Sequence, residues 1–139
     1  MSQPSDVWFG GIDYARLQQI FQQAQTQQAG KTSISVLSAA TVTASGSSGV
    51  YSTGANKVFF VAISVGSVSG TNPSMTVYFN AYDGASGASI PIASVNITAA
   101  GAYYMSISDF AGAQFTISWT VSGTSPSFGN VYITVYASP

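Results

Sequence analysis

The sequence predicts a mostly β protein: a single antiparallel β-sandwich of seven or eight strands, preceded by an N-terminal arm and one amphipathic helix. After residue 30, β-branched and aromatic runs alternate with Gly, Ser, Asn and Pro turn signals, at the spacing of about 8 to 12 residues typical of sandwiches. Helical periodicity is absent between these runs, which argues against a parallel α/β sheet. Jelly-roll and immunoglobulin-like connections both fit this pattern. The 139 residues are enough for one compact core.

The chain begins with a short arm that carries a large apolar cluster. Val7, Trp8 and Phe9 form this cluster, and Gly10 and Gly11 follow it. An aromatic cluster on an otherwise polar segment needs a pocket to cover it, and the two glycines give the segment freedom to turn. We therefore expect the arm to dock on another surface.

An amphipathic helix is predicted from Asp13 to Ala29. Asp13 is a suitable N-cap or first-turn acid, and Gly30 is a suitable C-terminal stop. Gln fills the polar face, and the apolar positions recur at helical spacing. The apolar stripe consists of Tyr14, Leu17, Ile20, Phe21 and Ala24.

The remaining residues, 31–139, are predicted to form the sandwich domain, and residues 1–30 the arm and helix. The clearest alternation places Phe115, Ile117, Trp119 and Val121 on one side of a strand, with small polar residues on the other. A further strand at 49–52 would raise the count to eight. The seven predicted strands lie near residues 33–44, 57–65, 74–82, 89–98, 102–108, 113–121 and 130–137.

Charged residues make up 5% of the chain, against a usual share of about 25%. The sequence contains no His and no Cys, so most side chains used in acid–base, thiol and metal chemistry are missing. We expect no catalytic residues, no metal, no cofactor and no enzymatic activity. Three cations and a net charge of −1 also argue against nucleic-acid binding. The apolar runs are too short for a membrane span. The charged residues are Asp6, Asp13, Arg16, Lys31, Lys57, Asp83 and Asp109.

Three short motifs have a structural interpretation and a functional one. Asp83-Gly84 resembles part of a calcium loop, but the other ligands of such a loop are missing, and a hairpin turn is favoured. Asp109 is expected to cap an Asx turn between two strands. Asn96-Ile97-Thr98 matches a glycosylation sequon, a pattern that also occurs by chance.

The last 39 residues carry a resemblance to known proteins. The run GAYYMSISDFAGAQFTISWTVSGTSPSFGNVYITVYASP, residues 101–139, combines an aromatic strand, an Asp turn, an alternating strand with Trp, a Gly/Ser loop and a Val-Tyr-Ile-Thr-Val strand. In this pattern it resembles small β-sandwich or jelly-roll virion structural proteins of bacterial and archaeal viruses. The resemblance implies a capsid, decoration or tail-associated protein without catalytic residues.

Assembly is the function that the composition favours. A soluble monomer normally carries about 25–35% charged residues on its surface, and strand edges without charges pair with other chains unless neighbours cover them. We expect a homo-oligomer that also contacts other virion proteins. Residues 1–6 carry no cationic segment followed by an apolar stretch, so we expect no secretory signal there, and we expect assembly in the host cytoplasm before release. The predicted subunit-contact residues are Val7, Trp8, Phe9, Leu17, Ile20 and Phe21.

The main alternative is a glycan-binding or adhesin-type module on a tail or a cell surface. Exposed aromatic side chains on one face of a sandwich could stack on sugar rings. In this interpretation Tyr51 and Tyr103 are the first candidates for stacking, and a host-surface glycan is the partner.

Overall fold

The computed structural model describes residues 32–139. This part of the chain is mostly β and antiparallel, as predicted. Hydrogen bonds join all eight strands into one continuous sheet. The strands are β1 (Thr32–Val42), β2 (Gly46–Ser47), β3 (Tyr51–Ser52), β4 (Val58–Val65), β5 (Ser67–Asp83), β6 (Ala88–Ile97), β7 (Gly101–Ile107) and β8 (Gln114–Ser138).

The 25-residue strand β8 organises the sheet. One of its edges pairs with β5 over residues 115–129 and with β4 over residues 132–138, and β4 and β5 follow each other in the chain. The opposite edge pairs with β1, β2 and β3. The result is a long ribbon three strands wide, with β8 in the middle. Two further strands widen its ends, because β7 pairs with β4 and β6 pairs with β5.

The ribbon folds back on itself near the middle of β8. Phe59 lies opposite Ala137, whereas Phe79 lies opposite Ile117, so 20 residues of β8 separate the two positions. A straight strand of that length would span about 65 Å. The ring centroids of Phe59 and Phe79 are nevertheless 5.4 Å apart. We call the two facing parts half A (β1, residues 128–138 of β8, β4 and β7) and half B (β2, β3, residues 114–121 of β8, β5 and β6).

A repeated sequence lies at the fold of the ribbon. Residues 68–74 and 121–127 both read Val-Ser-Gly-Thr-x-Pro-Ser. The two copies run antiparallel beside each other, with Thr71 opposite Thr124. Each copy contains two residues of positive φ: Gly70 (113°) and Asn72 (50°) in the first, Gly123 (116°) and Ser125 (50°) in the second. Because both strands leave regular β geometry at the same place, the ribbon can turn while remaining paired on either side.

Apolar side chains from the inner faces of both halves fill the core. Four phenylalanines meet at its centre, where the ring of Phe110 is perpendicular to those of Phe59 and Phe79 and the ring of Phe115 is stacked on that of Phe79. The spacing of two residues in β4 and β8 produces this inner face. The largest fully buried side chains are Phe59, Phe79, Phe115, Phe128, Ile63, Met75, Ile97, Ile117, Ile133, Val61 and Val77.

The predicted strands agree with the structure in position but not everywhere in extent. The predicted strands 113–121 and 130–137 are one strand, and the predicted strand 74–82 begins earlier, at Ser67. Tyr51–Ser52 pairs with β8, and Gly46–Ser47 adds a second short strand. The count of eight is therefore reached by merging two predicted strands and adding two short ones. The predicted arm and amphipathic helix lie outside the described residues.

Among residues 32–139, no helix has the length and apolar character needed to cross a bilayer.

Candidate functional site

The outer face of half A carries a cluster of exposed aromatic side chains. Phe60, Tyr104, Tyr132 and Tyr136 each expose between 42% and 65% of their surface. They come from the three neighbouring strands β4, β7 and β8. Their positions alternate with buried core residues, so strand periodicity places all four on the side of the sheet that faces away from the core. We call this group the aromatic cluster.

Strand register determines how these side chains are arranged. On β4, Phe60 lies opposite Tyr136 of β8, and Ala62 lies opposite Tyr104 of β7. Phe60 and Tyr104 are therefore diagonal neighbours, a separation that aromatic side chains can bridge. Their rings are stacked, with centroids 5.4 Å apart and planes 15° apart. This stacked pair fixes one wall of a depression in the sheet surface.

The depression is a pocket of about 350 Å³. Small side chains form its floor: Ala62 and Ser64 on β4, and Thr134 on β8. Large side chains adjoin two of these small residues in the register, because Ala62 lies beside Tyr104 and Ser64 lies beside Tyr132. The pocket is lined by Phe60, Ala62, Ile63, Ser64, Ala102, Tyr103, Tyr104, Tyr132 and Thr134, a set without a charged side chain.

The outer face of half B has a different chemistry, built from amide and hydroxyl groups. The Asn80 side chain, which is 3% exposed, donates hydrogen bonds from Nδ2 to Ser118 Oγ (2.9 Å) and Thr116 Oγ1 (3.3 Å). Asn96 Nδ2 donates to Ser74 Oγ (2.8 Å) and Thr76 Oγ1 (2.9 Å). These bonds connect β8 to β5 and β5 to β6. The amide and hydroxyl groups of this face therefore form hydrogen bonds with one another.

Strand edges form a third feature of the surface. β6 and β7 end the main strand order, and β1, β2 and β3 line the other edge of β8. Within residues 32–139, none of these five edge strands contains Lys, Arg, Asp or Glu. On β6, Ile90 and Ile92 are 51% and 50% exposed. A register shift occurs beside them, because Phe79 lies opposite Ala93 while Asn80 lies opposite Pro91.

The two tyrosines predicted for glycan stacking are half-buried and lie apart from each other. Tyr51, on β3, packs against the core, with its ring centroid 5.3 Å from that of Phe115. Tyr103, on β7, also packs against the core, and its hydroxyl donates to the carbonyl of Ala99 (2.7 Å). Tyr103 still borders the pocket of half A, whereas Tyr51 belongs to half B.

Asp83 lies in a hairpin between β5 and β6, as predicted. Its carboxylate accepts hydrogen bonds from Ser86 Oγ (2.7 Å) and from the backbone N–H of Ala85 (3.1 Å). The bond from Ser86, followed by that from Ala85, holds the pKa of the Asp83 carboxyl below its ordinary value.

The other two motifs are also placed in the structure. Asp109 has a positive φ of 55° in the connection between β7 and β8, and the next residue, Phe110, donates its backbone N–H to the carbonyl of Lys57 (3.0 Å). This turn directs Phe110 into the core. Asn96, of the sequon, is exposed. No three His, Cys, Asp or Glu side chains come together in the part of the chain that the structure describes.

The predicted subunit-contact residues lie outside the described residues. They are Val7, Trp8, Phe9, Leu17, Ile20 and Phe21.

The aromatic cluster was not predicted from the sequence, although the alternation of residues at the end of the chain indicates that two of its members face outward. Val131, Ile133 and Val135 alternate as core positions, so Tyr132 and Tyr136, which occupy the intervening even-numbered positions of the strand, must face outward. The association of these two tyrosines with Phe60 and Tyr104 depends on the pairing of β8 with β4 and of β4 with β7, which are far apart in sequence.

Comparisons with known proteins give a likeness that concerns the fold. No protein-family model matches the chain, and no curated protein matches it. Among solved structures, the crystal structure of the SPBc2 prophage-derived protein YomS is similar, with a TM-score of 0.50 and 16% identity, over 77% of this chain and 91% of that one. At this identity the likeness shows that the two chains share a fold.

Proposed function

We propose that the protein is a non-enzymatic structural component of a virus particle and acts by homo-oligomeric assembly. The observation that carries this proposal is the absence of charged residues from all five edge strands of the described part of the chain. Edge strands of soluble monomers are usually protected by charged side chains, especially Lys, because their free N–H and C=O groups pair readily with other chains. Edges without that protection suit a protein whose neighbours cover them.

The edge at β6 is the strongest candidate for a contact between copies. Ile90 and Ile92 expose about half of their surface there, on a strand whose outer side has no partner in the described sheet. Pro91 and the register shift limit regular ladder formation at this point. Association at β6 therefore uses isoleucine burial more than backbone pairing.

The fold likeness agrees with this assignment, since a similar solved structure is that of a prophage-derived protein. The proposal includes a two-layer sandwich, because Phe59 of half A contacts Phe79 and Phe115 of half B across the core. It places the protein in the virion, in contact with copies of itself and with other virion proteins. The arm and helix of residues 1–30 are proposed as additional contacts.

The test measures the mass of the full chain in solution. Sedimentation velocity and light scattering at several concentrations should give an oligomer of fixed stoichiometry for the unmodified protein. Ile90→Lys and Ile92→Lys should each shift the population toward monomer, because a Lys on the edge opposes burial of that strand. The matched control is Ala55→Lys, which adds the same charge at an exposed position between β3 and β4 and should leave the mass unchanged.

A monomer at all concentrations in the unmodified chain would contradict the proposal. If neither isoleucine substitution changes the mass of the oligomer, β6 does not lie in the interface. The melting temperature of each variant separates loss of association from loss of folding.

A further inference from the structure

The repeated Val-Ser-Gly-Thr-x-Pro-Ser sequence is part of a larger repetition in the fold. We call residues 32–83, with β1 to β5, module 1, and residues 88–138, with β6 to β8, module 2. Module 1 passes from half A (β1) to half B (β2 and β3) and then runs through both halves in β4 and β5. Module 2 follows the same course with the halves exchanged: β6 lies in half B, β7 in half A, and β8 runs through both. An approximate two-fold axis at the fold of the ribbon produces this exchange.

Strand register supports this relation position by position. Pairings between β1 and β8 have counterparts between β6 and β5, and pairings of β2 and β3 with β8 have counterparts between β7 and β4. On the first edge the matched pairs are Thr32–Ala137 with Ala88–Asp83, Ile34–Val135 with Ile90–Ala81, and Val42–Phe128 with Ile97–Met75. On the second edge they are Gly46–Trp119 with Gly101–Val65, and Tyr51–Phe115 with Met105–Val61. The modules therefore agree in strand order and in alignment.

An irregularity of the edge strand is repeated as well. The register of β1 shifts between Ser35 and Leu37, which leaves Val36 as an extra residue, and the register of β6 shifts around Ile92 in the matching place. The sequences around these bulges are alike: Ser-Ile-Ser-Val-Leu-Ser at 33–38 and Ser-Ile-Pro-Ile-Ala-Ser at 89–94. The ends of the two strands also match, with Val-Thr-Ala-Ser-Gly at 42–46 and Ile-Thr-Ala-Ala-Gly at 97–101. Bulges are kept within families of related strands, so a shared bulge indicates duplication.

Each module has the other as its strand partner. In the described sheet, β1, β2 and β3 pair with β8, β4 pairs with β7 and β8, and β5 pairs with β6 and β8. Every strand pairing of residues 32–139 therefore joins module 1 to module 2, and none lies within one module. Strands without partners are not stable in water, so the two modules must fold together, as the subunits of an intertwined dimer do.

The modules are linked by the short turn at residues 84–87. Asp83 and Ala88, which flank the turn, lie opposite each other. The backbone N–H of Gly87 donates a hydrogen bond to the carbonyl of Asp83 (2.7 Å) and closes the turn. A short link keeps the two modules of one chain at a high effective concentration, so pairing within the chain dominates in dilute solution. If the turn opens, module 2 can make the same strand pairings with module 1 of a second copy.

We propose that residues 32–138 are a duplication of one module, and that a second copy of this chain can supply either module by exchange at the turn of residues 84–87. The surface that is recognised is the set of strand edges at which the two modules pair. This contact goes beyond the edge contact at β6, because strands are exchanged between copies instead of added side by side. It does not depend on a role in the virion.

Engineered cysteines report exchange directly, because the natural chain contains none. Ser64 of module 1 and Ala102 of module 2 are exposed and lie opposite each other. Opposite residues of antiparallel strands have Cα atoms about 4.5–5.5 Å apart, a distance that a disulfide spans. A full chain with Ser64→Cys and an isotope-labelled full chain with Ala102→Cys are unfolded together in urea, refolded at several protein concentrations and oxidised. Mass spectrometry then measures the covalent heterodimer.

We expect the share of heterodimer to rise at least about threefold over a tenfold increase in protein concentration, because exchange competes with pairing inside one chain. The matched control replaces Ser64→Cys by Ala55→Cys, an exposed position of module 1 between β3 and β4. Its disulfides with the Ala102→Cys chain report random collision and should stay at a low share.

Deletion of residues 84–87 gives a second test in the full chain. Asp83 then joins Ala88 directly, and without turn residues the chain cannot reverse, so module 2 must pair with a second copy. The circular dichroism spectrum should stay unchanged, and the cysteine pair should give heterodimer at every protein concentration, near the statistical share of about half of the chains. Insertion of Gly-Ser-Gly-Ser after Ala85 is the control. It lengthens the same turn, and should give a folded chain with no more heterodimer than the natural turn.

Two results would overturn the proposal. The first is a heterodimer share with the natural turn that equals the Ala55→Cys control at all protein concentrations. The second is a deletion variant that is unfolded, or gives only the control share of heterodimer, while the insertion variant folds. Neither result changes the expected mass of the unmodified chain or the effects of Ile90→Lys and Ile92→Lys, so exchange of modules and assembly at β6 can fail separately.

Discussion

Gly70 and Gly123 have equivalent positions in the two antiparallel copies of the repeat, where the ribbon folds back on itself. A Cβ atom on Gly70 would lie 2.6 Å from the carbonyl oxygen of Ser125, and a Cβ atom on Gly123 would lie 2.7 Å from that of Asn72. Each glycine thus lies against the backbone of the other copy of the repeat. Both also have positive φ, so a side chain at either position is opposed by steric contact and by backbone conformation.

Gly70→Ala and Gly123→Ala should destabilise the protein by similar amounts, each by more than about 1 kcal/mol. The contacts are with backbone atoms of paired strands, which cannot move aside easily. Chemical denaturation monitored by circular dichroism would measure the loss. Gly49→Ala is the matched control, because no atom lies within 4 Å of a Cβ at that position, and its effect should be small. Unequal effects of the first two substitutions would show that the two segments are not equivalent in energy.

The neighbouring residues Phe59 and Phe60 should differ strongly in their contribution to stability. Phe59 is 1% exposed and lies at the centre of the phenylalanine cluster, whereas Phe60 is 42% exposed on the outer face. Phe59→Ala should reduce the free energy of unfolding by about 3–5 kcal/mol, because it leaves a large cavity. Phe60→Ala should cost much less. Equal losses in urea denaturation would contradict the assignment of inner and outer faces.

Stability should change little with pH between about pH 5 and pH 8, because the chain has no His and few groups titrate in that range. The pKa of Asp83 is lower in the folded than in the unfolded chain. Its contribution is therefore present above the unfolded-state pKa and lost as the pH falls through the folded-state value. The melting temperature should decline only below about pH 4, and by a small amount, because Asp83 is exposed.

Calorimetry over this pH range checks the prediction. Asp83→Asn should reduce the acid decline, and so should Ser86→Ala, which removes the largest cause of the lowered pKa. A sharp cooperative transition between about pH 6 and pH 4 would mean that another carboxyl group occupies a critical contact.

The arm remains a prediction of the sequence. Deletion of residues 1–12 should leave residues 32–139 folded and weaken assembly, because it removes Val7, Trp8 and Phe9 as contacts. Trp8→Ala together with Phe9→Ala is the finer test. Circular dichroism and sedimentation together distinguish the outcomes. If the variants lose their fold instead of their association, these aromatics belong to the core of their own chain.

The sequence was most informative where side chains alternate across a strand. The predicted strand 57–65 and the observed Val58–Val65 agree because buried and exposed residues alternate along it. The same reasoning failed at residues 122–127, where Ser, Gly, Thr and Pro are typical of a loop. These residues continue β8 because the similar segment at 69–74 pairs with them. The repeated Val-Ser-Gly-Thr-x-Pro-Ser sequence was the available signal.

The candidate site was less accessible to sequence reasoning. In Tyr103-Tyr104, adjacent tyrosines face opposite sides, and the buried Met105 and Ile107 determine that Tyr104 is the outward one. The pocket itself depends on Ala62 lying between Tyr104 and Thr134 in the register of three strands. Pairing between strands so distant in sequence is set by tertiary structure, which alternation along a single strand does not encode.

The central position of β8 also has a consequence for the order of folding during synthesis. All five strands that pair with β8 precede it in the chain. Until β8 has been translated, β4 can pair with β7 and β5 with β6, and each keeps one unpaired edge. In the described sheet, β1, β2 and β3 have β8 as their partner and must wait for it. Closure of the sheet therefore waits for the translation of residues 114–138, and contacts between distant segments form late and slowly. In that interval these strands, of which only β5 carries a charged residue, are exposed to other nascent chains. The yield of correctly folded protein should therefore depend on the rate of translation and on chaperones.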